Sequence, residues 1–499
     1  MILAVLLLVV LGGVGPAQER EVAALRARAE AGEREAVLAD LEARSTGGKL
    51  PYELLELGAE LALEIPDFPR AFAFVSRMKT LGKGDPRVDE WLGHVTFRQA
   101  AQARALRSAT YEDAAAHYAD ARRHGGDPYR NAYWEAESWL GAGRVERALK
   151  SVEEALAARP GDPAATRMAA DLMLRLGRAP AAGERLLPVW EKHRRDPELA
   201  LLLLKARLAE GDRPRLRETF LTLVQIQPKH VELYRALCDG LKASGRPADL
   251  EALRGMLEEA RRRMPDEPLP LLYLGFTSAL EGRLEEALAF YEQYRDRRPR
   301  EGKSHLWVGS LQVSLGRLDE ARASLLRAGS LGGVPQEELA AEVRRLVAAY
   351  VNQGAYAKAI PLQTLVVSLL QDPDDVLDLG VLELDSGDVE AARATYTDLL
   401  RRSTLDFMAE AKAWNYLALL RWGQGDLDGA LEAFDRGLEA DEDALDAREN
   451  KAILLIHLGR KEEAAGLLRS VIRDSEDRDA TRARYHLLRL RHPTLVEGR

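Results

Sequence analysis

The 499-residue chain has one cysteine, Cys238. No disulfide can form within it, so the fold does not rest on covalent staples. A chain this long buries enough core without them. Excess basic charge is also missing: 71 Lys and Arg stand against 80 Asp and Glu, for a formal charge of −9. Nucleic-acid proteins usually carry a basic stripe and a high pI, so nucleic acid is not an expected partner. Catalytic signatures are absent too. There is no HExxH, no GxSxG, no Gly-rich phosphate loop and no CxxC. The nine histidines are scattered singly, at His94, His117, His124, His193, His230, His305, His457, His486 and His492, and none pairs at the helical ligand spacing. The acidic runs at 372–375 and 441–443 lack the Gly and distal Glu of a calcium loop. No enzyme activity, metal or cofactor is expected.

Long apolar runs are scarce, with one exception at the start. Met1 to Leu11 is unbroken apolar text, followed by Gly12, Gly13, Gly15 and Pro16. It is too short to span ~30 Å of hydrocarbon comfortably. It fits a secretory signal over residues 1–17, with Gly15 and Ala17 before a cut at Gln18, although no Lys or Arg precedes it. The expected location is secreted or periplasmic, with tethering by this segment as the alternative. No cysteine follows the run, so no lipid anchor is expected.

What the chain has in abundance is repetition. A glycine in the same local setting recurs at Gly143, Gly177, Gly211, Gly245, Gly282, Gly316, Gly354, Gly387, Gly425 and Gly459. The intervals are 34, 34, 34, 37, 34, 38, 33, 38 and 34 residues. A fixed period of this size marks stacked repeats. Each repeat reads as two helices. Several open with Asp-Pro, as at Asp127-Pro128, Asp162-Pro163, Asp196-Pro197 and Asp372-Pro373. Asp caps the free amides of the first turn, and Pro there sacrifices no hydrogen bond. The glycine ends the first helix by entering the left-handed region.

Seven residues before that glycine the chain mostly has a small residue, as at Ala136, Gly275, Gly380 and Ala418. Five after it comes another, as at Ala148, Ala287, Ala392 and Ala430. Small against small predicts a close crossing of the two helices, with Tyr291 placed to pack onto the next unit. Leu216 and Leu250 take the second small position in units 197–230 and 231–267, so looser packing is expected there.

This pattern resembles the tetratricopeptide repeat (TPR) family. Leu274-Gly275, Gly282, Ala287, Tyr291 and Pro299 match its signature, as do Trp414, Leu417, Ala418, Gly425, Ala430 and Phe434. Ser278 and Tyr294 depart from it. The resemblance implies an all-α, right-handed α-solenoid of helix-turn-helix repeats. The expected domains are residues 18–128 as degenerate repeats, 129–478 as the tandem array and 479–499 as a capping helix and tail. In the degenerate part, Tyr111, Ala114, Tyr118 and Ala121 read as a second helix, with Ala109 in place of the turn glycine. Leu57-Gly58 with Ala71, and Gly32 with Val37, mark earlier units.

The resemblance implies a protein-interaction scaffold holding a protein or peptide in a concave groove lined by first helices. The alternatives are an envelope assembly or secretion factor binding glycan or transport machinery, and an enzyme with a groove-assembled site. The repeats use up the chain, which leaves no room for a separate catalytic domain. Placed by the family's pattern, the groove carries Leu269, Leu272, Phe276 and Ala279, then Leu306, Ser310 and Val313, as an apolar floor. Arg130, Glu137, Glu232, Arg235, Asp239 and Lys242 form a charged wall. The family's carboxylate clamp is broken: Asn450 is present, but Asn415 and Leu419 stand where Lys and Asn belong.

Overall fold

The computed structural model describes residues 16–47, 50–82, 84–102, 107–402, 405–475 and 480–491. The apolar run at Met1–Leu11 lies outside the described residues. Among the described residues every regular element is helical, and there is no strand. None of these helices is long and apolar enough to cross a membrane. The chain forms two compact units, divided between Leu269 and Pro270.

The first unit begins with Pro16–Arg28 and Arg34–Gly47, joined through Gly32 at φ 101°. The pairs Tyr52–Glu64 with Phe68–Leu81, Pro86–Gln102 with Arg107–Arg123, and Pro128–Gly141 with Val145–Ala158 follow. Three more complete it: Pro163–Arg175 with Ala179–Lys192, Pro197–Glu210 with Arg213–Ile226, and Val231–Lys242 with Pro247–Arg263. The second unit pairs Leu269–Leu280 with Leu284–Arg297, Gly302–Ser314 with Leu318–Leu331, and Gln336–Asn352 with Tyr356–Leu370. Pro373–Asp385 then pairs with Val389–Leu400, Phe407–Gly423 with Leu427–Ala440, and Leu445–His457 with Lys461–Asp474. Within each unit successive pairs stack, which is the solenoid arrangement.

The punctuation works as the residue types dictate. All ten turn glycines have positive φ, from 64° at Gly245 to 90° at Gly387. The Asp of each Asp-Pro opening accepts from the first turn's amides: Asp127 from Arg130 N, Asp162 from Ala165 N, Asp196 from Glu198 N and Leu199 N, and Asp372 from Asp374 N. One expected turn moves. Ala109 lies inside the helix Arg107–Arg123 rather than at a turn.

The close crossings differ from a small-against-small contact. A Cβ added at Gly275 would come within 2.5 Å of the Tyr291 ring. The ring, nine residues past the turn glycine, fills the space the glycine leaves. The same pairing joins Gly58 to Phe74, Gly93 to Tyr118 and Gly380 to Tyr396. Tyr291 then stacks on Trp307 of the following pair, centroids 5.9 Å apart, as expected of a residue that binds unit to unit. Tyr294 is buried against the same tryptophan and donates to Glu301 at 3.0 Å. Ser278 is fully buried. The helices of the pairs starting at Pro197 and Val231 approach each other much less than those of the pair starting at Pro128, consistent with the bulk of Leu216 and Leu250. The helix Thr481–Arg491 closes the second unit, with Ala483, Leu487 and Leu490 packed on the last pair and Tyr485 and Leu488 exposed.

Candidate functional site

The turn glycine fixes the register of each first helix, so residues three and four apart share a face along it. In Pro86–Gln102 that face carries Arg87, Glu90, Trp91, His94 and Phe97. In Pro128–Gly141 it carries Arg130, Tyr133, Trp134, Glu137 and Leu140. Most of these side chains are half-buried, and Glu90 is buried.

They are tied across repeats at intervals close to the period. The Arg87 guanidinium lies 4.0 Å from the centre of the Tyr52 ring. Trp91 Nε1 donates to Glu56 at 3.2 Å. Arg130 meets Glu90 at 2.5 Å. Tyr129 donates to Asp162 at 2.7 Å. Arg167 pairs with Asp196 at 2.9 Å and with Glu198 at 3.1 Å. Beneath this ladder sits a cluster of rings. His94 meets Trp91, Tyr118 and Trp134 edge-on, and Phe97 meets Tyr111 and Trp134 the same way.

The electrostatics single out two carboxyls. Burial pushes the Glu56 carboxyl above its ordinary range, opposed by the Trp91 N–H. Burial pushes Glu137 up as well, opposed only by the Tyr133 hydroxyl. Among the described residues no Lys or Arg forms an ion pair with Glu137. Arg130, on the same helix, and Arg167, on the next first helix, are committed to other carboxylates.

The base and nucleophile candidates are packed within the fold. His94 is 15% exposed at its side chain, with Nε2 3.6 Å from Glu90. Its Nδ1 is 2.7 Å from the Tyr118 hydroxyl. The Tyr118 hydroxyl thus orients the imidazole within the ring cluster. Cys238 is buried, and burial pushes its thiol up, away from the thiolate a nucleophile needs. Among the described residues no three His, Cys, Asp or Glu groups are placed to hold a metal ion.

The apolar floor read from the sequence is distributed differently. Leu269 and Leu306 are 7% and 2% exposed, so they serve packing and have no surface to offer a groove. Leu272 and Ala279 are partly buried against Ala287, Leu288, Tyr291, Val308 and Leu311. Val313 packs against the cluster that contains Leu306 and Leu325. Phe276 is half-buried on its helix, and Ser310 accepts from Arg345 at 3.2 Å. Of the charged wall, Glu232, Arg235, Asp239 and Lys242 are exposed, and Glu232 pairs with Arg235 at 2.9 Å. The broken clamp is filled from within: Asn450 donates to Asn415 at 3.0 Å, and Arg482 donates to Asn450 at 3.2 Å. Tyr133, Trp134 and Trp91 belong to no motif, and His94 reads in the sequence only as a lone histidine. The density of rings in YRNAYWEAESW, from Tyr129 to Trp139, was the available signal.

Models described as the tetratricopeptide repeat match residues 101–163, 139–208, 281–335, 377–444 and 417–481, together more than half of the chain. The chain belongs to the tetratricopeptide repeat family. No curated protein matches this TPR chain in sequence. Among solved structures it is similar to the APC/C hetero-tetramer Cut9–Hcn1, at 16% identity over 88% of this chain and 96% of that one, with a TM-score of 0.28. It is also similar to YrrB, a TPR protein with an unusual peptide-binding site, at 17% identity over 39% and 97%, with a TM-score of 0.29. A third similarity is to Naa15/Naa10 bound to HypK-THB, at 16% identity over 86% and 64%, with a TM-score of 0.36. TPR arrays are interaction scaffolds, and a protein partner fits this fold.

Proposed function

We propose that this TPR protein is a non-catalytic scaffold that holds a segment of a partner protein against its first-helix faces, outside the cytoplasm. The observation that carries the reading is the face running from Tyr52 to Glu198. It joins half-buried rings to carboxylates and guanidinium groups across five successive first helices, and its histidine is held by the Tyr118 hydroxyl. Such a surface offers planar apolar area with fixed polar groups beside it, which suits a partner segment better than a small substrate. Phe276, with Leu272 on its own helix and Ser310 and Val313 on the next first helix, is the corresponding candidate anchor in the second unit. The apolar run at Met1–Leu11 supports export.

The test is a pull-down from envelope extract with wild type, Tyr133→Asp, Phe276→Asp and the second-helix control Gln293→Asp, each first shown to be folded by circular dichroism. Partner recovery should fall for Tyr133→Asp and stay unchanged for Gln293→Asp, while Phe276→Asp decides whether the second unit's face takes part. Equal recovery by all four proteins rules the reading out. Export is checked separately by N-terminal sequencing of protein from the producing cell. A start near Gln18 supports it, and an intact Met1 in a soluble cytoplasmic fraction contradicts it.

A further inference from the structure

Three successive first helices of the first unit carry two rows of side chains with the period of the repeat. Glu137 and Asp171 occupy equivalent positions, 34 residues apart, and both are half-buried. Three residues further along each helix stand Leu140, Leu174 and Leu208, also half-buried. An offset of three residues keeps both rows on one face. An acidic row thus runs beside an apolar row, and the exposed Lys205 of the next repeat ends the acidic one.

The two acids are not equally neutralised. Asp171 pairs with Arg175 of its own helix at 2.8 Å. Glu137 has no such partner, and the arginines along the face, Arg130 and Arg167, are already bound to other carboxylates. A carboxylate held partly out of water without a counter-ion costs stability unless something supplies the charge. The Tyr133 ring, one turn away, offers a face on which a cation can also rest.

We propose that the occupant of this face is a basic, amphipathic segment of a partner protein. A Lys or Arg of that segment would pair with Glu137 over Tyr133, and its apolar side chains would lie on Leu140, Leu174 and Leu208. The proposal rests on the scaffold reading above and adds the chemistry of what is held. It excludes acidic segments, which would bring like charge against an unpaired carboxylate.

The test uses three fluorescein-labelled 15-residue peptides that share one Leu pattern and carry Arg, Gln or Glu at the polar positions. Their binding to the full chain is followed by fluorescence anisotropy. The Arg peptide should bind about tenfold more tightly than the Gln peptide, the size of one charge-assisted contact, and the Glu peptide should not bind. Glu137→Gln should remove that tenfold preference, and Glu137→Lys should turn it toward the Glu peptide. Leu140→Asp should abolish binding of every peptide. Equal binding of the Arg and Glu peptides, no binding of the Arg peptide, or an unchanged preference in folded Glu137→Gln overturns the proposal. If the peptides bind alike and Leu140→Asp still abolishes binding, the charge preference fails while the scaffold reading survives.

Discussion

Glu137 shows what a single position can reveal about a surface. Its carboxyl is pushed up by burial and lacks a cation. The folded chain therefore holds that proton more tightly than the unfolded chain does. Its contribution to stability is most favourable at low pH, and it declines as pH rises from the ordinary carboxylate range through the raised folded value. At pH 7 the ionised side chain is a net cost, of order 1 kcal/mol for a partly buried charge without a partner. Glu137→Gln should accordingly raise the thermal midpoint at pH 7, and the gain should vanish below about pH 4. Melting curves at the two pH values check this, and a lower midpoint for the variant at pH 7 contradicts it. Little of this was legible beforehand. The sequence places Glu137 on the first-helix face but does not show that it is half-buried there. Its isolation depends on Arg130 reaching Glu90, 40 residues away. That link depends on how neighbouring pairs stack.

At the scale of the helix pair, nearly everything local could be read ahead. Glycine in the left-handed region and Asp before Pro are decided by a few adjacent atoms, so their positions in the sequence give the turns and caps directly. The partner of each small residue could not be read this way. Spacing alone suggested Ala287 opposite Gly275, whereas the Tyr291 ring fills that space. The side chain's length carries it back over the preceding turn. Ala109 is not a turn: it lies inside the helix that begins at Arg107. Ala287 nevertheless remains fully buried in the cluster that includes Tyr291 and Val308. Ala287→Leu should overpack it and cost about 1–3 kcal/mol. Because stacked repeats touch mainly their neighbours, faster hydrogen exchange should be confined to the helices between Leu269 and Leu331. Uniform loosening of the whole second unit is the contrary result.

At the scale of the molecule, the repeat period gave the all-helical class and the order of the pairs. It did not give the division into two units. That division falls inside the 37-residue interval between Gly245 and Gly282, just after the pairs with leucine at the second small position. The interval is visible in the sequence, but others as long occur where no division lies, so spacing alone could not mark it. Nor could the period separate residues that pack from residues that face a partner. Leu269, Leu306 and Phe276 all fall on the groove face expected from the sequence, yet the first two are buried and the third is half-buried.

The central claim is that partners are held on first-helix faces. Its most direct test places a photo-activated cross-linking residue, one position at a time, in the full chain within the producing cell. Positions 133 and 276 lie on first helices, and the exposed positions 218 and 293 lie on second helices. The account predicts a specific cross-linked partner from position 133, with or without one from 276, and none from 218 or 293. A partner captured only from the second-helix positions would contradict it.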